Sequence, residues 1–244
     1  MPTLPNTRIV QIVSNTNPTV FRSGDIDLGQ VSRVHLKTLI IPNTEYNVNS
    51  KTDAVVIDGV SVVVPQGQYN IDAYLTALKT QLDIASAPNT FTVAQNPNTF
   101  RLVFTKSGGA EFTIMKSPAS RLIGQHSTKT SVGLTLTTDG IPDLSGMRLV
   151  VFQSYTLGKF KISSLAGSTD TVKTVVLGGE PMSVPFGQVL KSESTEETLD
   201  SHYFNGYHNC SNFDMLLTDE NGDALELNGS EFIISFEMHV KGST

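Results

Sequence analysis

In the nine residues Phe232–Val240 an apolar side chain recurs at every second position. Phe232, Ile234, Phe236, Met238 and Val240 fall on one side of an extended chain, and Ile233, Ser235, Glu237 and His239 fall on the other, continuing from Glu231. A period of two over this length specifies an antiparallel strand with one face in a core and one face wet. A strand of this kind is stable only beside others, so a multi-stranded sheet must exist elsewhere in the chain. The sequence supplies the candidates. Arg8–Val13 is an apolar run closed by the turn-prone residues 14–18, and residues 24–29 read as a short strand with aspartates on one face. Val34, Leu36, Thr38 and Ile40 are expected to share a face against Arg33, His35 and Lys37. Leu149–Leu157 and Val172–Leu177 read as strands, and Phe213–Leu217 pairs with Ala224–Leu227 across a polar turn. About eight short strands separated by turn signals predict an all-β sandwich or jelly roll.

One stretch breaks this pattern. From Asn70 the apolar positions are Ile71, Tyr74, Leu75, Leu78, Leu82 and Ala85, a helical stripe, with Asn70 as its N-cap and Asp72 in its first turn. Ahead of it, Ala54–Ile57 and Val60–Val64 form a hairpin across Asp58-Gly59. Behind it come Phe91–Ala94, Phe100–Thr105 and Glu111–Met115, then a short helix capped by Ser117 and ended by Gly124. The expected organisation is a mainly β chain: a single antiparallel β-sandwich (jelly roll) in residues 1–52 and 125–244, interrupted at 53–124 by a small α+β subdomain with one helix on an antiparallel sheet. The helical stripe is expected to pack on its own sheet.

Composition narrows the function. Ser, Thr and Asn number 66 against 40 charged residues, and the net charge is −6. Without clustered Lys and Arg, direct nucleic-acid binding is disfavoured. Hydrophobic residues at 39% suffice for a core, so the chain is not a disordered tail. No apolar run reaches the roughly 18 residues of a membrane span. The first residues lack a charged and apolar leader, so a reducing, cytosol-like site of synthesis is expected. Ten of the fifteen asparagines precede residue 100, where they are read as turn residues needing left-handed backbone. Thr128–Thr138 and Ser163–Thr174 are read as surface loops.

Catalytic spacing is missing. There is no His-Glu-x-x-His, Gly-x-Ser-x-Gly or phosphate loop. His202, His208 and Cys210 could ligate a metal, but their spacing fits no zinc pattern, and a polar, aromatic loop is the better reading. A Cys–His nucleophile pair there lacks an orienting partner. Asp219, Asn221 and Asp223 resemble a calcium loop only superficially, because Gly222 falls at the wrong position. Asn209-Cys210-Ser211 and Asn228-Gly229-Ser230 match the glycosylation pattern by chance. The single cysteine excludes an internal disulfide. No catalytic residue, cofactor or metal site is expected. A jelly-roll carbohydrate-binding module is an alternative, but with no Trp and 7% aromatic residues it lacks a stacking platform. A cupin-type enzyme would need a His/Glu cluster, and the five histidines are scattered.

The motifs follow a recognisable order. Leu39-Ile40-Ile41-Pro42-Asn43-Thr44-Glu45-Tyr46-Asn47-Val48-Asn49 comes first, then Val63-Val64-Pro65-Gln66-Gly67-Gln68-Tyr69-Asn70-Ile71 and the helix. The strands around Asn96-Pro97-Asn98-Thr99-Phe100, then Ser120-Arg121-Leu122-Ile123-Gly124 and Pro142-Asp143-Leu144-Ser145-Gly146 follow. Val184-Pro185-Phe186-Gly187, Leu217-Thr218-Asp219-Glu220-Asn221-Gly222 and Leu227-Asn228-Gly229 lead to the terminal strand. From about Val34 to Val240 this resembles the penton (vertex) and related minor capsid proteins of virophages, polinton-like viruses and related double-jelly-roll double-stranded DNA viruses. The resemblance implies a single jelly roll with an inserted domain, and a structural protein of the virion rather than an enzyme. It implies homopentamers at the fivefold vertices, beside a double-jelly-roll major capsid protein and possible fibre or spike proteins. A cement or spike-base role is the alternative within the same particles. Ile233, Glu237 and His239, on the wet face of the last strand, are the expected interface residues.

Overall fold

A computed structural model describes residues 6–14, 20–23, 29–157, 175–193, 201–210 and 213–241. The chain divides into two compact units: 1–45 with 147–244, and 46–146.

The first unit holds β1 (Asn6–Ser14), β2 (Val20–Ser23) and β3 (Gln30–Pro42) before the second unit, then β11 (Leu149–Ser154), β12 (Val175–Pro181), β13 (Val189–Glu193), β14 (Ser201–Asn209), β15 (Phe213–Thr218) and β16 (Phe232–Val240). One sheet runs β1-β16-β3-β13, and the other runs β12-β11-β15-β2. β13 pairs with Thr38–Pro42 and β14 with the earlier half of β3, so the two share one position beside that strand. Numbering the eight positions in chain order gives 1-8-3-6 in one sheet and 2-7-4-5 in the other. That order is the two-Greek-key jelly roll. All pairings are antiparallel. Both sheets send side chains into one core: Leu39, Ile41, Ile234 and Phe236 from one, Val150, Phe152, Phe213 and Leu217 from the other. The Phe213 and Phe236 rings meet edge-to-face at 5.5 Å across it.

β16 keeps its alternation: Phe232, Ile234, Phe236, Met238 and Val240 are all buried in this core. β3 does not keep the phase expected from sequence. Ser235 pairs with Thr38 and Phe236 with Leu36, so Lys37 is an extra, bulged residue. The bulge exchanges the faces beyond it. Leu39 and Ile41 therefore enter the core, at 1% and 0% exposure, while Thr38 and Ile40 face outward. The expected strand at 24–29 and the loop at Ser163–Thr174 fall wholly or mostly outside the described residues. The segment His202–Cys210, read as a loop, instead falls, all but Cys210, in β14, in antiparallel register with β3 and shifted between Tyr203 and His208.

The second unit contains β4 (Ala54–Ile57), β5 (Val60–Val63), α1 (Ile71–Ala85), β6 (Phe91–Gln95), β7 (Leu102–Lys106), β8 (Thr113–Met115), α2 (Ser120–Ile123), β9 (Lys129–Thr130) and β10 (Thr135–Thr137). Two small sheets, β5-β4-β8-β9 and β10-β7-β6, share a core with the helix. The β4–β5 turn has positive φ at both Asp58 and Gly59, as a tight twisted hairpin requires. Asn70 Oδ1 accepts from the Ala73 N–H and caps α1, which buries Tyr74, Leu78 and Leu82. α2 is shorter than expected: its cap residue is Ala119, without a side-chain cap, and Gly124 ends it at φ 67°.

This unit is wider than the 53–124 stretch read from sequence. Val48 is fully buried in its core and pairs with Gly67, and β9 and β10 complete its sheets. Thr128–Thr138, read as a loop, thus contains two short strands, β9 and β10. Asn47 fastens the entry and exit segments together. Its Nδ2 donates to the Tyr69 and Leu144 carbonyls at 2.8 and 3.0 Å, and its Oδ1 accepts from the Tyr69 N–H at 3.0 Å.

Candidate functional site

The residues expected at an interface lie on the outer face of the β1-β16-β3 sheet. Opposed residues of an antiparallel ladder share a face, so register alone assembles the rows. Val13, Ile233 and Ile40 form one row, and Gln11, Ser235 and Thr38 the next. Ile9, Glu237 and His35 follow, then Thr7, His239 and Arg33.

The lower rows carry charge. Lys37 Nζ lies 3.1 Å from Glu237 Oε2, and His239 Nε2 lies 3.6 Å from Glu237 Oε1. The Lys37 hydrogen bond holds the Glu237 carboxyl below the usual carboxylate range. Partial burial opposes this, and the charge of Lys37 and the neighbouring His239 and His35 reinforces it. Glu237 therefore stays ionised beside the Lys37 ammonium. The upper row is apolar. Val13 is 51% exposed, and Ile9, beside Glu237, is 69% exposed. Ile233 and Ile40 are half-buried beside Val13.

Structure thus gathers Ile233, Glu237 and His239 on one face, and adds Ile9, Val13 and Ile40, which the sequence reading did not single out. β1 is apolar on both faces, so its composition carries no phase. Only its register against β16 shows that Ile9, Gln11 and Val13 face outward while Ile12 enters the core.

The other candidates disperse. Cys210 is fully buried in the jelly-roll core, and His208 lies in the β14 ladder opposite Val31. The His202 backbone pairs with Val34. Among the described residues no three His, Cys, Asp or Glu side chains gather where they could hold a metal. Asp219 is a turn-former: its Oδ1 accepts from the Asn221 and Asp223 N–H groups at 2.8 and 2.9 Å. No described helix is long and apolar enough to cross a membrane.

The asparagines also act differently from expectation. Among the described asparagines only Asn228 has positive φ. Several others work through side-chain hydrogen bonds: Asn43 to the Val184 carbonyl, Asn96 to the Asn98 and Thr99 N–H groups, and Asn47 and Asn70 as above.

No family model matches the chain, and no curated protein does. Among solved structures it is similar to the crystal structure of selenomethionine-labelled mavirus penton protein, at 12% identity and a TM-score of 0.45, over 96% of this chain and 99% of that one.

Proposed function

We propose that this chain is a structural capsid protein, a vertex protein that assembles as a homopentamer beside a double-jelly-roll major capsid protein in the virion. The observation that carries the reading is topological: one jelly roll, interrupted between its third and fourth strands by a second unit with its own core. That is the organisation implied by the motif order in the sequence. The role is geometric rather than catalytic. Five copies meet through head-to-tail contacts that close after five steps. A polar, weakly charged surface with isolated apolar rows suits broad, hydrated contacts. The Val13–Ile233–Ile40 row, with Glu237 and His239 below it, is a contact surface in this reading. Native mass spectrometry and electron microscopy of the purified protein test it. A five-chain ring, and a low copy number in particles, support it. A high copy number spread over the particle favours a cement role instead. A protein that is monomeric at every concentration and absent from particles overturns it.

A further inference from the structure

Sheet edges invite pairing with other chains, and natural proteins guard them with short strands, bulges, Pro, Gly or charge. Most described edges here are guarded. β12 carries Gly178, Gly179 and Pro181 and a shifted register, and β14 is shifted. β13 presents the Lys191–Glu193 ion pair, and β2, β5, β9 and β10 have four residues or fewer. β1 differs. It runs nine residues in unshifted register with β16, contains neither Pro nor Gly, and carries one charge, Arg8. Among the described strands it pairs with β16 alone. Alternate N–H and C=O groups along it must therefore point away from the sheet.

We propose that this edge is a strand-addition surface whose occupant is β1 of a second copy, paired antiparallel about a two-fold axis through Val10. The sequence is compatible with itself in that register. All nine residues pair, from Asn6 opposite the second copy's Ser14. Thr7 lies opposite the second copy's Val13, and Ile9 opposite its Gln11. Arg8 meets Ile12 rather than another Arg8, so no like charges face one another. Each sheet would continue into its neighbour across the axis. A two-fold contact is isologous and cannot be the contact that closes a ring of five, so this pairing is independent of the vertex reading.

Disulfide trapping tests it. Directly opposed residues have Cα atoms roughly 4.5–5.5 Å apart, within disulfide reach. Thr7 and Val13 are exposed, and the native Cys210 is buried. Thr7→Cys and Val13→Cys variants are prepared separately, mixed and mildly oxidised. The mixture gives a cross-linked dimer, whereas either variant alone does not, because its twin lies about 20 Å away along the strand. Hydrogen exchange on the uncross-linked protein shows slowed β1 amides as concentration rises. A mixture that cross-links no more than the separate variants, or β1 amides that exchange equally fast at all concentrations, overturns the pairing. A five-chain ring with unprotected β1 amides sinks this proposal alone, and a β1-paired dimer that never forms rings sinks the vertex reading alone.

Discussion

Replacing Asn47 by alanine removes the clasp that joins the two ends of the inserted unit. Asn47 is 1% exposed and makes three side-chain hydrogen bonds, two donated to carbonyls and one accepted from the Tyr69 N–H. Each is worth about 0.5–1.5 kcal/mol net, and partners left unpaired in a buried site add to the loss. Asn47→Ala should therefore cost about 3 kcal/mol. For a unit of this size that is a fall of roughly 12–24 °C in Tm. Asn47→Asp should cost more, since a carboxylate oxygen would face the Tyr69 and Leu144 carbonyls where an amide donor stood. The assay is urea unfolding with hydrogen exchange resolved along the chain. The expected result is accelerated exchange across residues 46–146, in the order Asp, then Ala, then wild type. An alanine variant within 0.5 kcal/mol of wild type, or an aspartate variant more stable than the alanine one, would refute the clasp.

Three further outcomes follow from the geometry. Glu237 titrates below its unfolded value near 4.5, so its contribution to stability is complete above that value and disappears as pH falls through the lower folded pKa. Glu237→Gln should flatten stability against pH from about 5 downward, read by thermal melts at matched ionic strength. Asp214 is half-buried; burial raises its pKa, but hydrogen bonds from Thr156, Tyr155 and Ser154 outweigh that and lower it. Asp214→Ala should cost about 1–2 kcal/mol, as a lost cap does, and the loss relative to wild type should shrink in acid. Gly124→Ala sets a Cβ 2.4 Å from the Gly140 carbonyl oxygen at φ 67°, so soluble yield and Tm should drop sharply; a wild-type Tm would show that the chain relaxes freely there.

The legible parts of this fold were those where one periodicity holds throughout an element. β16 alternates cleanly, and α1 shows its stripe and cap, so both were readable. β3 was not, because the bulge at Lys37 reverses the faces of an otherwise regular strand and a bulge has no side-chain signature in an Ile-rich run. β14 looked like a loop because its ladder is broken between Tyr203 and His208, leaving no uninterrupted alternation. The unit's outer boundary was misplaced because β9 and β10 are two and three residues long and only Leu136 marks them in the core. The candidate face was half-legible. Glu237, His239 and Ile233 follow from β16, but Val13, Ile9 and Ile40 join them only through inter-strand register.

The central claim is the closed ring of five, and native mass spectrometry of the purified protein across a concentration series tests it most directly. The account predicts a dominant species of five chain masses, diminished by Ile233→Lys without loss of Tm. A single-chain species at every concentration would contradict it.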